Sequence, residues 1–467
     1  MKFKINQDIE IHFIGIGGIG MSAIAEILLS LGFKVSGSDV QESNNTKKLE
    51  SMGAVIKYEH ASQNIKNQNV VVYSSAITPD NLEYQAAIIK KIPIMQRAEM
   101  VAELMRLKCG LAVAGTHGKT TTSGMLATIL SESGVDPSYL IGGIVQNLKG
   151  HAKVGNGDYI VVEADESDGS FLLYNPVMSI INNVDLDHMD YYKTEENLCN
   201  AFKKFADRIP FFGLCALNAH DGHLQEIKKQ MKKPSVTFGI YEELGFMCDF
   251  EARNVQMDVT GIKYDLCHNG EYVGKISLKV HGRHNLINSL GAIAISTHLK
   301  IPFEKISSSL EKFTGIGRRF NYLVNSPKLK IIDDYAHHPT AVRSVLETVK
   351  TIYPKAKIIT LFEPHRYTRT RDSWDQFLHC FKDTDQLFLG PIYSASEKPI
   401  EGINSELLNQ SINRLYPGLS VYIEDMLELP RYLKLRENEE VVLLALGAGS
   451  VSKVIYKIVE KLDKKLE

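Results

Sequence analysis

The chain has few of the features that mark secreted or membrane-spanning proteins. Its 467 residues include only six cysteines and no Cys-x-x-Cys pair, which argues against a disulfide scaffold and for reduced thiols in a cytosol. No apolar run reaches the 18 residues of a membrane span, and the first residues, MKFKINQDIE, contain no apolar signal core. We therefore expect a cytoplasmic protein with no membrane partner.

The chain also lacks an excess of either charge. It has 53 lysines and arginines against 55 aspartates and glutamates, which gives a formal net charge of −2. Nucleic-acid-binding domains ordinarily carry a pronounced basic excess, so the sequence predicts no nucleic-acid partner. Any phosphate group must be bound by a local arrangement of residues.

What the sequence does have is a repeated alternation of short apolar runs with helical patterns, which is typical of parallel sheets covered by helices. The alternation restarts at CGLAVAG and at LKIIDDY, and a charged, turn-rich stretch near 240–275 is predicted to form an antiparallel hairpin insertion. We predict an α/β fold of three domains. They are an N-terminal Rossmann-like domain (1–107), a central P-loop ATPase-like α/β domain (108–322) and a C-terminal Rossmann-like α/β domain (323–467).

The stretch IHFIGIGGIG reads as a buried strand that enters a glycine loop, and the next strand ends at Asp39. Loops of this kind bring backbone amides and a helix N-terminus to a diphosphate. The pattern, with Gly15, Gly17, Gly18 and Gly20, is that of a dinucleotide-binding unit. A second glycine loop begins before the other half of a dinucleotide fold could be completed, yet these residues alone leave an NAD-dependent oxidoreductase open.

The second glycine loop lies in AVAGTHGKTTTS, where an apolar strand leads through a glycine turn into a helix. In a phosphate loop the backbone amides hold phosphate oxygens, the lysine meets the terminal phosphates and the hydroxyl can bind Mg²⁺. The first glycine of the general pattern is replaced by Val113, and Gly115 takes its place. The alternative is an ordinary strand-to-helix turn. The candidate ATP-binding residues here are Gly115, Thr116, His117, Gly118, Lys119, Thr120 and Thr121.

Acidic side chains follow two predicted strands of the same central segment. YIVV leads to Glu163, Asp165 and Glu166, and SIIN leads to a stretch that contains Asp185, Asp187, His188 and Asp190. Ligands collect at the carboxyl ends of strands in doubly wound sheets, so these acids are candidates for holding a nucleotide-bound metal. The alternative is a pair of solvated acidic loops.

Taken together, these motifs resemble those of the Mur ligase family. The resemblance rests on GIGGIGMSAIAEIL, SSAI, AGTHGKTTTS, EADESDGSF, DHMD, HGRHN, GIGRRF, DDYAHHPTAV and FEPHRYTRTRD, which occur in the family's order over nearly the whole chain. It implies that the first domain binds the UDP part of a UDP-sugar rather than NAD. The residues implied for that role are Gly15, Gly17, Gly18, Gly20, Asp39, Ser74 and Ser75.

The resemblance also implies roles for the other motifs. Lys119 would bind the terminal phosphates of ATP, Thr120 and Glu163 would hold one Mg²⁺, and Glu163 and His188 would help to hold a second. His284 and Asn285 would lie near the adenine, although a buried structural histidine is the alternative for His284. In the third domain Arg319, Asp334 and His338 would close over ATP, and His365, Arg366 and Arg369 would bind the carboxylate of an incoming amino acid.

The implied activity is an ATP-dependent ligase that joins L-alanine to the lactyl carboxylate of UDP-N-acetylmuramate through an acyl phosphate, in peptidoglycan precursor synthesis. Its partners would be ATP, UDP-N-acetylmuramate and L-alanine, its cofactor Mg²⁺, and its state a monomer or homodimer. A sister ligase that adds a preformed tripeptide in cell-wall recycling is the nearest alternative, and the PHRYTR stretch favours the single amino acid. A non-catalytic regulator is disfavoured because the lysine, acids and arginines are all present.

Overall fold

The computed structural model describes residues 8–74, 76–433 and 439–463, with Leu462 and Asp463 described by their backbone alone. Contacts within the chain divide the described residues into two compact units. The first unit lies within Met1–Val184, Glu196–Phe238 and Gly291–Ser309, and the second lies within Asp185–Glu195, Gly239–Leu290 and Leu310–Glu467.

The first unit begins with a parallel sheet built from β1 Glu10–Ile14, β2 Lys34–Ser38, β3 Val55–Lys57, β4 Val70–Tyr73 and β5 Ile94–Gln96. The strand order is β3-β2-β1-β4-β5, and β1 pairs its Ile11 with Val35 of β2 and with Val70 of β4. The order therefore reverses on either side of β1. Ligands of open α/β sheets bind at such a switch point, outside the carboxyl ends of the strands.

A second sheet forms the centre of the first unit. Its strands are β6 Cys109–Ala114, β7 Ser138–Val145, β8 Gly150–Lys153, β9 Tyr159–Glu163, β10 Met178–Ile181, β11 Leu214–Asn218 and β12 Ser235–Ile240. They follow the order β8-β7-β9-β6-β10-β11-β12, and only the β7–β8 pair among them is antiparallel. Every residue of β10 and β11 is buried, as expected for parallel strands covered on both faces.

The second unit contains two further strand groups. The antiparallel hairpins β13 Phe250–Asp258, β14 Gly261–His268 and β15 Glu271–Leu278 confirm the hairpin insertion predicted near 240–275. The other group is β16 Asn321–Asn325, β17 Leu329–Asp334, β18 Lys357–Phe362, β19 Gln386–Leu389, β20 Ser420–Tyr422 and β21 Val441–Leu446. Its order is β16-β17-β21-β18-β19-β20, parallel except for β16 against β17.

Helices connect the strands. Those up to β13 are α1 Ile19–Ser30, α2 Asn44–Ser51, α3 Leu82–Ile89, α4 Arg97–Arg106, α5 Lys119–Glu132, α6 Met189–Tyr192, α7 Glu195–Ala206, α8 Gly222–Gln230 and α9 Tyr241–Leu244. The later ones are α10 Arg283–His298, α11 Phe303–Lys312, α12 Pro339–Ile352, α13 Tyr367–Asp372, α14 Trp374–His379, α15 Ser405–Leu415, α16 Leu429–Tyr432 and α17 Val451–Asp463. Short 3₁₀ turns lie at Ser62–Asn64, Ser170–Leu173 and Met426–Glu428.

The helix α12 shows how sequence pattern produces packing. Pro339 occupies its first turn, where the missing amide hydrogen has no intrahelical partner to lose. Val342, Val345, Leu346 and Val349 recur at helical spacing and are buried in one core cluster against the β17–β21–β18 region.

Among the described residues, no helix combines the length and apolar character needed to cross a membrane.

Candidate active site

The first glycine loop follows β1 and opens α1, as predicted. Gly15 has a φ of +80°, and the amides of Gly15 and Ile16 both donate to the carbonyl oxygen of Ser38 at 2.9 Å. The Gly17 amide donates to Asp39 Oδ2 at 2.7 Å. A carboxylate just after β2 thus fixes the loop, and the Gly18 amide donates to the Gly15 carbonyl oxygen at 3.4 Å.

The remaining predicted residues of this loop lie at the same edge. Gly18 is the N-cap of α1 and supplies no side-chain cap, which leaves the helix N-terminus to other acceptors. Ser74 follows β4, and its Cβ is 3.7 Å from the position a Cβ would take at Gly15. Ser75 lies outside the described residues.

Arg97 is a candidate that sequence reasoning missed. A Cβ added at Gly20 would lie 3.2 Å from Arg97 Cδ and 3.4 Å from its Nη1, so a guanidinium borders the glycine loop. Burial alone would raise the pKa of Asp165, but Lys119, the Ser167 amide and Arg97 together hold it below its usual value. The available signal was an arginine directly after the stretch IPIMQ, which contains β5.

The second glycine loop joins β6 to α5 and needs both of its glycines. Gly115 has a φ of +128°, and a Cβ there would come within 3.0 Å of Asn182 and of the Asn183 amide. Gly118 is the N-cap of α5 with a φ of +81°. Asn183 Oδ1 accepts the His117 amide at 2.8 Å. The INN run after β10, which sequence reasoning left unassigned, therefore shapes the phosphate loop.

Lys119 lies at the first position of α5 and points back over this loop. Its Nζ donates to the Gly115 carbonyl oxygen at 2.7 Å and to Glu166 Oε2 at 2.7 Å, and Glu166 is fully buried. Burial alone would lower the pKa of Lys119, but Glu166, Asp165 and Glu163 raise it above its ordinary value. The lysine is therefore a fixed cation beside the loop amides.

Thr120 and Glu163 are brought together as predicted for a shared metal. Thr120 Oγ1 donates to Glu163 Oε2 at 3.3 Å, and Glu163 Oε1 accepts the Gly142 amide at 2.7 Å. Adjacent ligands of an octahedral Mg²⁺ at 2.0–2.1 Å lie about 2.9 Å apart, so these two oxygens fit one ion after a small adjustment. Thr121 is buried in the first turn of α5.

The second acidic stretch belongs to the second unit. Asp187 pairs with Arg369, whose Nη2 lies 3.2 Å from Oδ2, and it also accepts the His188 amide at 2.8 Å. Burial alone would raise the pKa of Asp187, but Arg369, His188 and His338 hold it well below its usual range. His188 has a φ of +57° as the N-cap residue of α6.

His338 is buried at the N-terminus of α12 within the same unit. Its Nδ1 lies 3.7 Å from Asp185 Oδ2, which also accepts the Thr340 hydroxyl at 2.7 Å. The structure thus brings two segments that carry predicted site residues, DLDHMD and HHPTA, into contact with each other.

Arg319 lies in a strained turn that Asp334 holds. The flanking residues Arg318 and Phe320 have φ values of +61° and +49°. Asp334 accepts the Phe320 amide at 2.7 Å, and both arginine guanidiniums lie 4.9 Å from the ring centre of Tyr335. The Asp334 carboxylate therefore accepts hydrogen bonds from backbone amides in this structure. Its contact with ATP remains a prediction.

The predicted amino-acid cluster is compact. Arg369 Nη1 lies 3.3 Å from His365 Nδ1, and the His365 ring stacks on Tyr393. Burial together with Arg369 and Arg366 lowers the pKa of His365 to about 4, so this imidazole is neutral near pH 7. Within the described residues, the buried Nε atoms of Arg366 and Arg369 have no hydrogen-bond acceptor. Two cations with spare donors suit an anionic ligand.

His284 and Asn285 begin α10, but both have protein partners. His284 Nδ1 lies 2.9 Å from the Ser344 hydroxyl. Asn285 is buried, and its side-chain Nδ2 donates to the His281 carbonyl oxygen at 2.7 Å. Their predicted role at the adenine remains a prediction.

Family models match three consecutive segments of the chain. These are the Mur ligase family catalytic domain over residues 10–108, the Mur ligase middle domain over 113–296 and the Mur ligase glutamate ligase domain over 318–449. Three matched domains confirm the predicted three-domain α/β fold, while the predicted boundaries at 107 and 322 remain predictions.

Known proteins similar to the chain agree with these models. A UDP-N-acetylmuramate–L-alanine ligase of Geobacter sp. strain M21 is 43% identical over 444 residues, which cover 95% of each chain. The crystal structure of the UDP-N-acetylmuramate-alanine ligase of Thermotoga maritima matches with a TM-score of 0.81 and 29% identity, over 98% of this chain and 99% of that one. A murein peptide ligase of Psychrobacter arcticus, at 22% identity, shares the fold with a TM-score of 0.70, over 97% and 98%.

Proposed function

This chain belongs to the Mur ligase family, and from that premise we propose that it is an ATP-dependent ligase that joins L-alanine to the lactyl carboxylate of UDP-N-acetylmuramate. The observation that carries the proposal is the phosphate loop of the first unit. There Lys119, the first residue of a helix, lies over a glycine turn beside the Thr120–Glu163 oxygen pair. This arrangement suits the terminal phosphates of a nucleoside triphosphate and their metal.

The UDP-sugar is assigned to the switch point of the first sheet. The helix α1 begins just past the carboxyl end of β1, and the guanidinium of Arg97 lies next to Gly20 in its first turn. An N-terminal helix dipole and an arginine together favour a diphosphate. Asp39, which accepts the Gly17 amide, is assigned to the nucleoside side of the ligand.

Mg²⁺ is assigned to the carboxyl edge of the second sheet. Thr120 and Glu163 supply hard oxygen donors at a separation that fits one ion. His188 is proposed to help hold a second ion. Such ions, when bound, neutralise part of the charge on the transferred phosphoryl group.

The amino acid is assigned to the cluster around Arg369. Arg366 and Arg369 have buried Nε donors for which the described residues offer no acceptor, and a substrate carboxylate supplies one. Planar guanidiniums bind carboxylates through paired hydrogen bonds. The neutral His365 beside them adds no further positive charge.

The reaction follows from these assignments in two steps. The lactyl carboxylate oxygen attacks the γ-phosphorus of ATP, which forms an acyl phosphate and releases ADP. The amine of L-alanine then attacks the acyl carbon, and the tetrahedral intermediate expels phosphate to leave an amide. Lys119 balances the negative charge that gathers on the phosphoryl group during the first step.

A direct assay separates this proposal from its nearest alternative. ADP release by the purified chain is measured with MgATP and UDP-N-acetylmuramate, with L-alanine in one reaction and the L-Ala-γ-D-Glu-diaminopimelate tripeptide in another. We expect release that depends on L-alanine and a product of the matching mass. Release only with tripeptide would assign the chain to wall recycling, and release with neither would refute the ligase proposal.

Matched variants test whether the phosphate loop takes part in that reaction. Lys119→Ala removes the cation beside the loop, and we expect it to abolish ADP release while UDP-sugar binding persists. The control is Lys66→Ala, which removes an exposed lysine of the same unit and should leave turnover unchanged. Full turnover by Lys119→Ala would remove this lysine from the mechanism.

A further inference from the structure

Two exposed phenylalanines stand out on the first unit. Phe211 and Phe212 are 82% and 62% exposed, and their rings pack on each other at 5.2 Å with planes at 90°. The turn that carries them is fixed, since Ile209 on one side is 1% exposed and the Gly213 amide on the other donates to the Pro210 carbonyl oxygen at 3.0 Å. A firmly held turn thus presents two large apolar side chains to solvent.

Basic residues surround this turn. Segment 203–212 runs from the last turn of α7 towards β11, and segment 228–233 runs from the last turn of α8 towards β12. Together they contain seven lysines and arginines against one aspartate, and Lys229 also pairs with Glu226 at 2.6 Å. Lys203 Nζ donates to Gln230 Oε1 at 2.6 Å, which ties the two segments together. The Cys215 amide also donates to the Pro234 carbonyl oxygen at 3.0 Å. We call segments 203–212 and 228–233 the basic-aromatic surface.

Ordinary helix chemistry explains only part of this surface. Lysines in the last turns of α7 and α8 offset the negative ends of those helices. Lys232 and Lys233 lie beyond the end of α8, however, and no such effect accounts for an exposed pair of phenylalanines. The combination of clustered cations with exposed aromatic side chains is the pattern of proteins that bind the surface of an anionic bilayer.

We propose that the basic-aromatic surface binds the protein reversibly to anionic phospholipid bilayers, with Phe211 and Phe212 entering the interface and the lysines facing the head groups. A face-to-face contact of this surface with the same surface of a second copy is disfavoured, because clustered cations would face clustered cations. The perpendicular rings also present no shared flat face on which successive bases could stack, which disfavours a single-stranded nucleic acid.

The position of the surface is compatible with catalysis. The basic-aromatic surface lies at the amino ends of β11 and β12, whereas Lys119 and Glu163 lie at the carboxyl ends of the parallel strands β6 and β9. Because these strands run in the same direction, the two regions lie at opposite ends of the strands of one sheet. The inference does not depend on the ligase reaction.

Co-sedimentation of the full chain with vesicles tests the inference. One set of vesicles contains phosphatidylcholine alone, and the other includes roughly a third phosphatidylglycerol. We expect binding to the anionic vesicles only, weakened by high salt because the attraction is electrostatic. Phe211→Ser combined with Phe212→Ser, and separately Lys232→Glu combined with Lys233→Glu, should each weaken binding about tenfold or more.

The matched control is Phe246→Ser combined with Met247→Ser. These residues form another exposed apolar pair, 47% and 61% exposed, in an acid-rich stretch of the second unit. This control should bind as the unchanged protein does, and melting temperatures of all variants verify folding. If the phenylalanine variant does not fold, the lysine variant decides the question.

Three results would overturn the inference: no binding to anionic vesicles, equal binding to neutral ones, or undiminished binding by both surface variants. A single-stranded oligonucleotide that binds the surface while vesicles do not would likewise replace the lipid with nucleic acid.

Discussion

Replacing Asp334 tests whether this carboxylate acts on catalysis through the turn that carries Arg319. Asp334 is 5% exposed and accepts two backbone amides at 2.7 Å, one from Phe320 and one from Ala336. Phe320 and Arg318 have positive φ values on either side of Arg319. We expect Asp334→Ala to release this turn and to lower kcat together with stability.

The magnitude follows from the two amides. Each buried donor left without an acceptor costs roughly 1–3 kcal/mol, so Asp334→Ala should lower the free energy of unfolding by about 2–6 kcal/mol. Asp334→Asn keeps one acceptor oxygen and removes a charge that is costly to bury, since burial raises the pKa of this carboxyl above its ordinary value. It should therefore destabilise the protein less than the alanine variant does.

Urea unfolding measures the stability, and ADP release at saturating substrates measures kcat. The control is Asp385→Ala, which removes a carboxylate that accepts the Ile358 amide at the opposite edge of the same sheet. It should cost stability but spare kcat. In an Arg319→Ala background, Asp334→Ala should reduce kcat little further. A full additional loss in that background would show that Asp334 does not act through Arg319.

Two further predictions concern the amino-acid cluster. Arg369→Ala should raise KM for L-alanine far more than KM for ATP. The control is Arg371→Ala, which removes an exposed arginine of the same helix. Equal changes in both KM values would refute the carboxylate assignment. The His365 imidazole should titrate by NMR near its lowered pKa of about 4 rather than at 6.5, and a midpoint above 6 would contradict the burial beside Arg369. Because the unfolded chain takes up this proton first as pH falls, the stability that His365 contributes is present above about pH 6.5 and is lost towards pH 4.

The sequence predicted elements whose pattern is continuous along the chain. Runs such as SIIN and IITLF identify buried strands because both faces of a parallel strand are covered. The two glycine loops were located because glycine adopts the positive-φ backbone found at Gly15, Gly115 and Gly118 more readily than any other residue. The helix α2 has no such pattern, because it buries only Thr46 and Leu49 and shows no apolar periodicity.

The contacts that shape the candidate site were harder to predict, since they join residues far apart in sequence. Asn183 braces the phosphate loop across 66 positions, and Arg369 reaches Asp187 across 182. Neither pairing leaves a local pattern. Arg97 had a weak local signal in its position after a strand, but its approach to Gly20 depends on how α4 begins beside α1.

Net charge was a poor guide to surface charge for a similar reason. The net charge does not record where the charged residues lie. The lysines of α7 and α8 are separated in sequence by the strand β11, but the fold brings the ends of the two helices together. In the central sheet, acids lie beside Lys119 at the carboxyl ends of the parallel strands, and cations lie at the amino ends. A net charge near zero is therefore compatible with strongly charged local surfaces. Loops at the amino ends of the strands β11 and β12 supply none of the proposed catalytic side chains. They are therefore free to acquire a binding role without altering the phosphate loop.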